Sequence, residues 1–185
     1  MKSFLKTIFT ISVFAVVLYL CVPLVMKTIY PLKYEDAISE NAQKYGLDKY
    51  LVMGVISAES RFSENAVSHK NAKGLMQLKD ETALWCAEKY DIEGEAYLPE
   101  VNIEIGCAYI KYLLDVFEGD IKNALCAYNA GQGNVKNWLT DKKYSANGKT
   151  LDKIPYKETR EYVQRVERRA KIYKNLYGKN QNGAF

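Results

Sequence analysis

The sequence predicts a mostly α-helical protein: one globular helical domain behind an N-terminal transmembrane helix. Three observations carry this expectation. Thr7 to Met26 is an uncharged apolar run. After Pro31, apolar residues recur at spacings of three and four. No pair of strands with a hairpin signal is evident, and there is no internal repeat.

The first element is the apolar run. Its 20 residues give roughly 30 Å of helix, the thickness of a bilayer's hydrocarbon. A cleavable signal peptide would have a shorter apolar region and a small-x-small cleavage site, which is missing around Cys21–Met26. A lipoprotein signal would need a small residue before the cysteine, where Leu20 stands. An uncleaved signal-anchor helix over residues 1–27 fits best, and membranes tolerate Pro23 near its outer end. Lys2 and Lys6 favour the amino terminus inside, but Lys27 and Lys33 flank the other end. Charge alone therefore leaves the orientation open.

A short linker over 28–33 leads to a domain expected over 34–178, with a tail over 179–185. Tyr34–Tyr45 carries Ala37, Ile38 and Ala42 at helical spacings and stops at Gly46. Asp48 is a plausible N-cap for Lys49–Ser60. Thr82–Tyr90 follows, with Asp80 or Glu81 near its start. In Asn102–Glu118, Ile105, Tyr109, Leu113 and Val116 share one stripe, and Gly119 closes it. Asp120–Asn129, Asn134–Leu139 and Tyr156–Tyr177 complete the helices, with Leu151–Pro155 as a loop before the last.

Composition narrows the function. Of 26 basic side chains, Lys2, Lys6 and Lys27 belong to the anchor, which leaves 23 against 22 acidic. That balance argues against a nucleic-acid partner. The 15 tyrosines could stack on sugar rings or pack in a core with their hydroxyls reaching water. Cys86, Cys107 and Cys126 are an odd number, with no CxxC or His-Cys cluster. Buried free thiols are expected, with no metal and no cofactor.

One carboxyl stands on the wrong face. In Lys49–Ser60, Glu59 is seven residues after Val52, four after Val55 and three after Ile56, so it shares their apolar face. Desolvation there raises a carboxyl pKa above its ordinary value of about 4.3. The last turn of a helix, where the dipole is negative, adds to the effect. A general acid needs this protonated state. A solvated Glu at a fraying helix end fits the position as well. Two further stretches are chemically suggestive: Lys73-Gly74-Leu75-Met76-Gln77 and Ala127-Tyr128-Asn129-Ala130-Gly131-Gln132-Gly133. Each also reads as ordinary helix punctuation.

Together, Glu59-Ser60, Gly74-Leu75-Met76-Gln77 and Ala127-Tyr128-Asn129-Ala130-Gly131 resemble the signature of soluble lytic transglycosylase (SLT) domains, relatives of goose-type lysozyme. Pro99-Glu100-Val101-Asn102-Ile103 with Gly106 and Tyr109 also matches. So does Ile154-Pro155-Tyr156 with Glu158-Thr159-Arg160 and Tyr162-Val163. The resemblance runs in order from Tyr34 to Tyr177. It implies a lysozyme-like helical fold with a groove for the GlcNAc–MurNAc strand of peptidoglycan, and it makes Glu59 the sole catalytic carboxyl. Ser68, Gln77, Tyr128 and Glu158 match groove positions that hold sugar N-acetyl groups or orient the acid. Gly74 and Asn129 are assigned to substrate binding with them. Two departures stand out: Ser63-Glu64 where relatives carry Asn-Pro, and Lys79-Asp80 where they carry Met-Pro. The second places a cation where relatives have an apolar groove residue.

The resemblance implies cleavage of the MurNAc-β-1,4-GlcNAc bond with a single acid/base. Most glycosidases use two carboxyls; here the substrate's N-acetyl group assists, and its C6 hydroxyl closes on C1 to leave a 1,6-anhydro end. A muramidase with a water nucleophile and a non-catalytic wall-binding module are the alternatives. His69 reads as a solvated bystander. Arg160, Arg165, Arg168 and Arg169 read either as a track for acidic peptides or as a solvated helix face. The expected partners are peptidoglycan strands and, through the N-terminal helix, the membrane, with the chain a monomer. A peptidoglycan substrate puts the domain on the outer side of a single-pass anchor in the cell membrane.

Overall fold

The computed structural model describes residues 2–178; the expected tail over 179–185 lies outside the described residues. Eight helices form among the described residues and no strand does. α1 (Lys2–Ile29) runs without a break through Pro23, and its described side chains are almost all exposed. Its Lys6–Ile29 stretch is long and apolar enough to cross a membrane. The remaining helices are α2 (Glu35–Lys44), α3 (Lys49–Ser60), α4 (Asp80–Tyr90), α5 (Pro99–Val116), α6 (Ile121–Ala130), α7 (Gln132–Thr140) and α8 (Lys157–Tyr177).

Local chemistry explains where these helices begin. Asp48 caps α3, its Oδ1 accepting from the Tyr50 N–H at 2.8 Å. Asp120 does the same for α6, accepting from the Asn123 N–H at 2.8 Å. Each satisfies one of the donors a helix start leaves unpaired. α5 begins at Pro99, three residues before the expected Asn102. Proline suits the first helical position because the N–H it lacks has no partner there. Gly131, at φ 86°, separates α6 from α7.

The core forms around α3. Val52, Met53, Val55 and Ile56 are buried on its inner face. α3 packs along α8 more extensively than any other helix pair. Gly54 permits that closeness: a Cβ there would lie 2.8 Å from the Val166 carbonyl oxygen and 3.0 Å from Ala170 Cβ. α8 buries Thr159, Tyr162, Val163, Val166 and Tyr173 and leaves most of its charged residues exposed, with Arg165 and Arg169 partly buried. α5 buries Ile103, Ile105, Ala108 and Leu113, in contact with α2, α4 and α6. Cys86, Cys107 and Cys126 are buried free thiols, and burial pushes each up to about 12.

The end of α1 is packed against the domain. The Tyr177 hydroxyl donates to the Tyr30 carbonyl at 2.7 Å. Tyr30 meets Tyr173 edge to face at 5.7 Å, and Lys27 lies over the Tyr177 ring.

Candidate active site

Glu59 lies in the last turn of α3, directly beyond the buried face of Val52, Val55 and Ile56. Its carboxyl opens into a groove between the ends of α3 and α6 and the starts of α4 and α8. Burial pushes its pKa up from 4.5 to about 7. Tyr162 and Arg165 oppose the shift by favouring the carboxylate, and the negative Glu158 adds to it. A carboxyl raised this far keeps a protonated fraction near neutral pH, the state a general acid needs.

The Tyr162 hydroxyl is fully buried on α8 and has no well-formed hydrogen bond in the structure. Glu59 is the group that acts on it most strongly after burial itself. An unpartnered buried hydroxyl is costly, and its proximity to a titrating carboxyl gives it a use.

The groove has a volume of about 430 Å³ and gathers residues far apart in sequence. Of the predicted site residues, Glu59, Ser68, Gln77, Tyr128, Asn129 and Glu158 all line it. Ser68 accepts from the N–H groups of Ala72 (3.0 Å) and Lys70 (3.3 Å), which closes the loop after Glu59 into a tight turn. Gln77 Nε2 donates to the carbonyls of Ala66 (2.9 Å) and Gly74 (3.0 Å). With both amide protons used, Gln77 offers the groove its Oε1 as an acceptor. Asn129 accepts from Thr159 Oγ1 at 2.8 Å, which joins α6 to α8. Glu158 is exposed and pairs with Lys70 at 3.6 Å.

Gly74 is not on the groove wall. It turns at φ +78° behind it, where a Cβ would lie 2.8 Å from the Asn102 amide. Its part is to let the loop close over Asn102, which is fully buried. Asn102 accepts from the Met76 N–H at 2.8 Å and donates to the Ala96 carbonyl at 3.1 Å.

Lys79 lines the groove, so the cation in the Lys79-Asp80 departure does face substrate space. Asp80 turns away to Lys73 at 2.8 Å and to the Tyr97 hydroxyl. Lys73 first, then Tyr97, holds its carboxyl below the usual range. Glu64, in the other departure, accepts from the Tyr34 hydroxyl at 2.7 Å and does not line the groove. His69, read from sequence as a bystander, is exposed on the groove wall. Tyr109, Lys70 and Glu81 line it as well. The sequence motifs include Tyr109 and Tyr162 without a role for either, and Arg165 reads from sequence as part of a track for acidic peptides or of a solvated helix face.

A larger cavity, about 620 Å³, lies on the opposite face of α8 by Arg160, Val163, Gln164 and Glu167. Its carboxyls, Asp152 and Glu167, are exposed, unlike Glu59 in the groove. Among the described residues no three His, Cys, Asp or Glu side chains are grouped as a metal would need.

A helical domain with one desolvated carboxyl facing an open, polar groove is the arrangement that the comparisons with known proteins place in a family. The sequence pattern of the family described as "Transglycosylase SLT domain" matches residues 36–151, and the chain belongs to that family. Among curated proteins it is 29% identical over 158 residues to the soluble lytic murein transglycosylase of Salmonella typhimurium, covering 82% of this chain and 24% of that one. It is 30% identical to membrane-bound lytic murein transglycosylase C of Edwardsiella ictaluri, covering 78% of this chain and 47% of the relative. This chain thus spans less than half the length of either relative. Among solved structures, an inactive mutant of lytic transglycosylase Slt from Pseudomonas aeruginosa superimposes with a TM-score of 0.72 at 31% identity, over 81% of this chain and 25% of that one. The 70 kDa soluble lytic transglycosylase of Escherichia coli gives 0.74 at 27% identity, over 83% and 26%.

Proposed function

We propose that the protein cleaves the MurNAc-β-1,4-GlcNAc bond of peptidoglycan from the outer face of the cell membrane, leaving 1,6-anhydro-MurNAc ends. The observation that carries this reading is Glu59, a carboxyl raised to about 7 by burial beside an open groove of about 430 Å³. The groove's other carboxyls, Glu81 and Glu158, belong to its rim: Glu158 is exposed and held by Lys70. A single acid/base therefore performs both proton transfers.

Protonated Glu59 donates to the glycosidic oxygen as the bond to MurNAc C1 breaks, and the substrate's own N-acetyl carbonyl stabilises the developing cation. The ionised Glu59 then takes the proton of the MurNAc C6 hydroxyl as that oxygen closes on C1. An internal nucleophile gains over water by proximity. Gln77 Oε1, Ser68 and Asn129 bind the strand, and Glu158 raises Glu59's pKa by its charge. α1 anchors the chain as a single span with Lys2 and Lys6 inside. The length of Lys6–Ile29 and the membrane-bound name of the Edwardsiella relative support the anchor.

Digestion of purified sacculi by the full chain in detergent, followed by mass spectrometry, tests the reading. Products lighter by one water than hydrolysis products are expected, and the Glu59→Gln variant should release none. Ordinary reducing ends would instead make the protein a muramidase, and no release by the parent would make it a wall-binding module.

A further inference from the structure

Where α1 meets the domain, Tyr30 and Pro31 face Arg61, Phe62, Arg169 and Tyr173 across a pocket of about 340 Å³. It lies behind the Glu59 groove: Ser57, two residues before Glu59, forms part of its floor. Arg61 and Phe62 both adopt left-handed backbone, at φ 54° and 62°. For non-glycine residues each such conformation is unfavourable, so two in succession persist only where the surroundings hold them. Phe62 is held by burial, its ring 5.8 Å from Tyr173. The reversal leaves Arg61 as an exposed cation on the pocket rim.

Arg169 reaches the same pocket from α8, donating Nη1 to the Ser57 carbonyl and, at 3.2 Å, to Ser57 Oγ. Among the described residues neither arginine pairs with a carboxylate. The charges that act on Arg169 include the like charges of Arg165 and Arg61. Two guanidinium groups thus share one concave site with no anion to offset them. Guanidinium forks match phosphate oxygens in pairs, and such charge-assisted bonds are among the strongest available.

Position narrows the source of the phosphate. Tyr30 and Pro31 directly follow Lys6–Ile29, the apolar stretch of α1. A headgroup layer extends only about 5–8 Å beyond the hydrocarbon, and tyrosines are enriched at that level. We propose that the Arg61–Arg169 pocket binds the phosphate of an anionic phospholipid in the leaflet that the domain faces. The apolar wall of Ile29 and Pro31 accommodates the glycerol end of the same lipid. This rests on α1 lying in the membrane and is independent of glycan cleavage.

The test uses the full chain in phosphatidylcholine vesicles, with phosphatidylglycerol titrated in and thermal unfolding of the domain followed. Phosphatidylglycerol should raise the unfolding midpoint, and Arg61→Gln should weaken the half-saturating dependence about tenfold. Arg61 is exposed and its one hydrogen bond, from the backbone N–H to the Ser57 carbonyl at 3.2 Å, does not involve the side chain that this variant changes. Lys33→Gln, which removes an exposed cation on the linker, should leave the dependence unchanged. Equal midpoints with and without phosphatidylglycerol would overturn the proposal, as would equal losses in the two variants. Equal stabilisation by inorganic phosphate over pure phosphatidylcholine would overturn the lipid assignment in favour of a free anion. Failure to float with phosphatidylcholine vesicles would overturn the placement of α1 itself.

Discussion

The Tyr128 hydroxyl donates to the Met76 carbonyl oxygen at 2.8 Å, while the N–H of Met76 is held by Asn102 Oδ1, also at 2.8 Å. Both polar groups of one backbone residue are therefore fixed, by side chains from α6 and α5. The next residue, Gln77, sits at φ 48° and lines the groove. Fixing Met76 thus sets where Gln77 presents its acceptor relative to Glu59.

Asn102→Ala should lower unfolding stability by about 1–3 kcal/mol, because it leaves the Met76 N–H buried without a partner. Tyr128→Phe, which strands only one lone pair, should cost about 1 kcal/mol. Denaturant unfolding of the two variants checks the order, and both should raise KM for glycan more than they lower kcat.

Glycan cleavage should fall as pH rises through about 7, because the reaction begins with protonated Glu59. A pH profile of kcat/KM on sacculi reads this limb directly. An alkaline limb near 4.5 would mean that Glu59 is solvated.

Glu59→Gln should remove cleavage yet stabilise the fold at alkaline pH. The folded-state pKa of Glu59 is raised, so its contribution to stability is whole below about 4.5 and lost as pH rises to about 7. That interval, at 1.36 kcal/mol per pH unit, is worth about 3 kcal/mol. Thermal midpoints of parent and variant should therefore be close at pH 4 and separate above pH 7, with the variant higher.

Tyr162→Phe should move the alkaline limb of activity to higher pH, since the Tyr162 hydroxyl favours the Glu59 carboxylate. Folding stability should change little, because that hydroxyl has no well-formed hydrogen bond to lose. A pH profile shifted in the same direction by Arg165→Gln would show that both residues act through Glu59.

Much of this site is legible along the chain. The spacing of Glu59 from Val52, Val55 and Ile56 is a local property of one helix, and burial of those three residues follows from it. The groups that tune Glu59 are different in kind. Tyr162, Arg165 and Glu158 come from α8, roughly a hundred residues later, and only the close crossing at Gly54 brings them near. Gly74 shows the same limit: its motif marks a tight approach, and only the fold shows that a side chain there would meet Asn102. The early start of α5 escaped because its apolar stripe is regular only from Asn102 onward, whereas Pro99 begins the helix by lacking an N–H.

The bond from Tyr177 to Tyr30 removes slack between α1 and the domain that carries Glu59. A flexible tether would let a groove sweep a volume set by tether length. Here, with α1 in a bilayer as proposed, the groove turns with the helix that carries it. Helices accommodate a thinner bilayer by tilting more, so bilayer thickness acts as a gauge for the depth of cut. Under the proposed function, the strands within its reach would then lie at one height above the membrane.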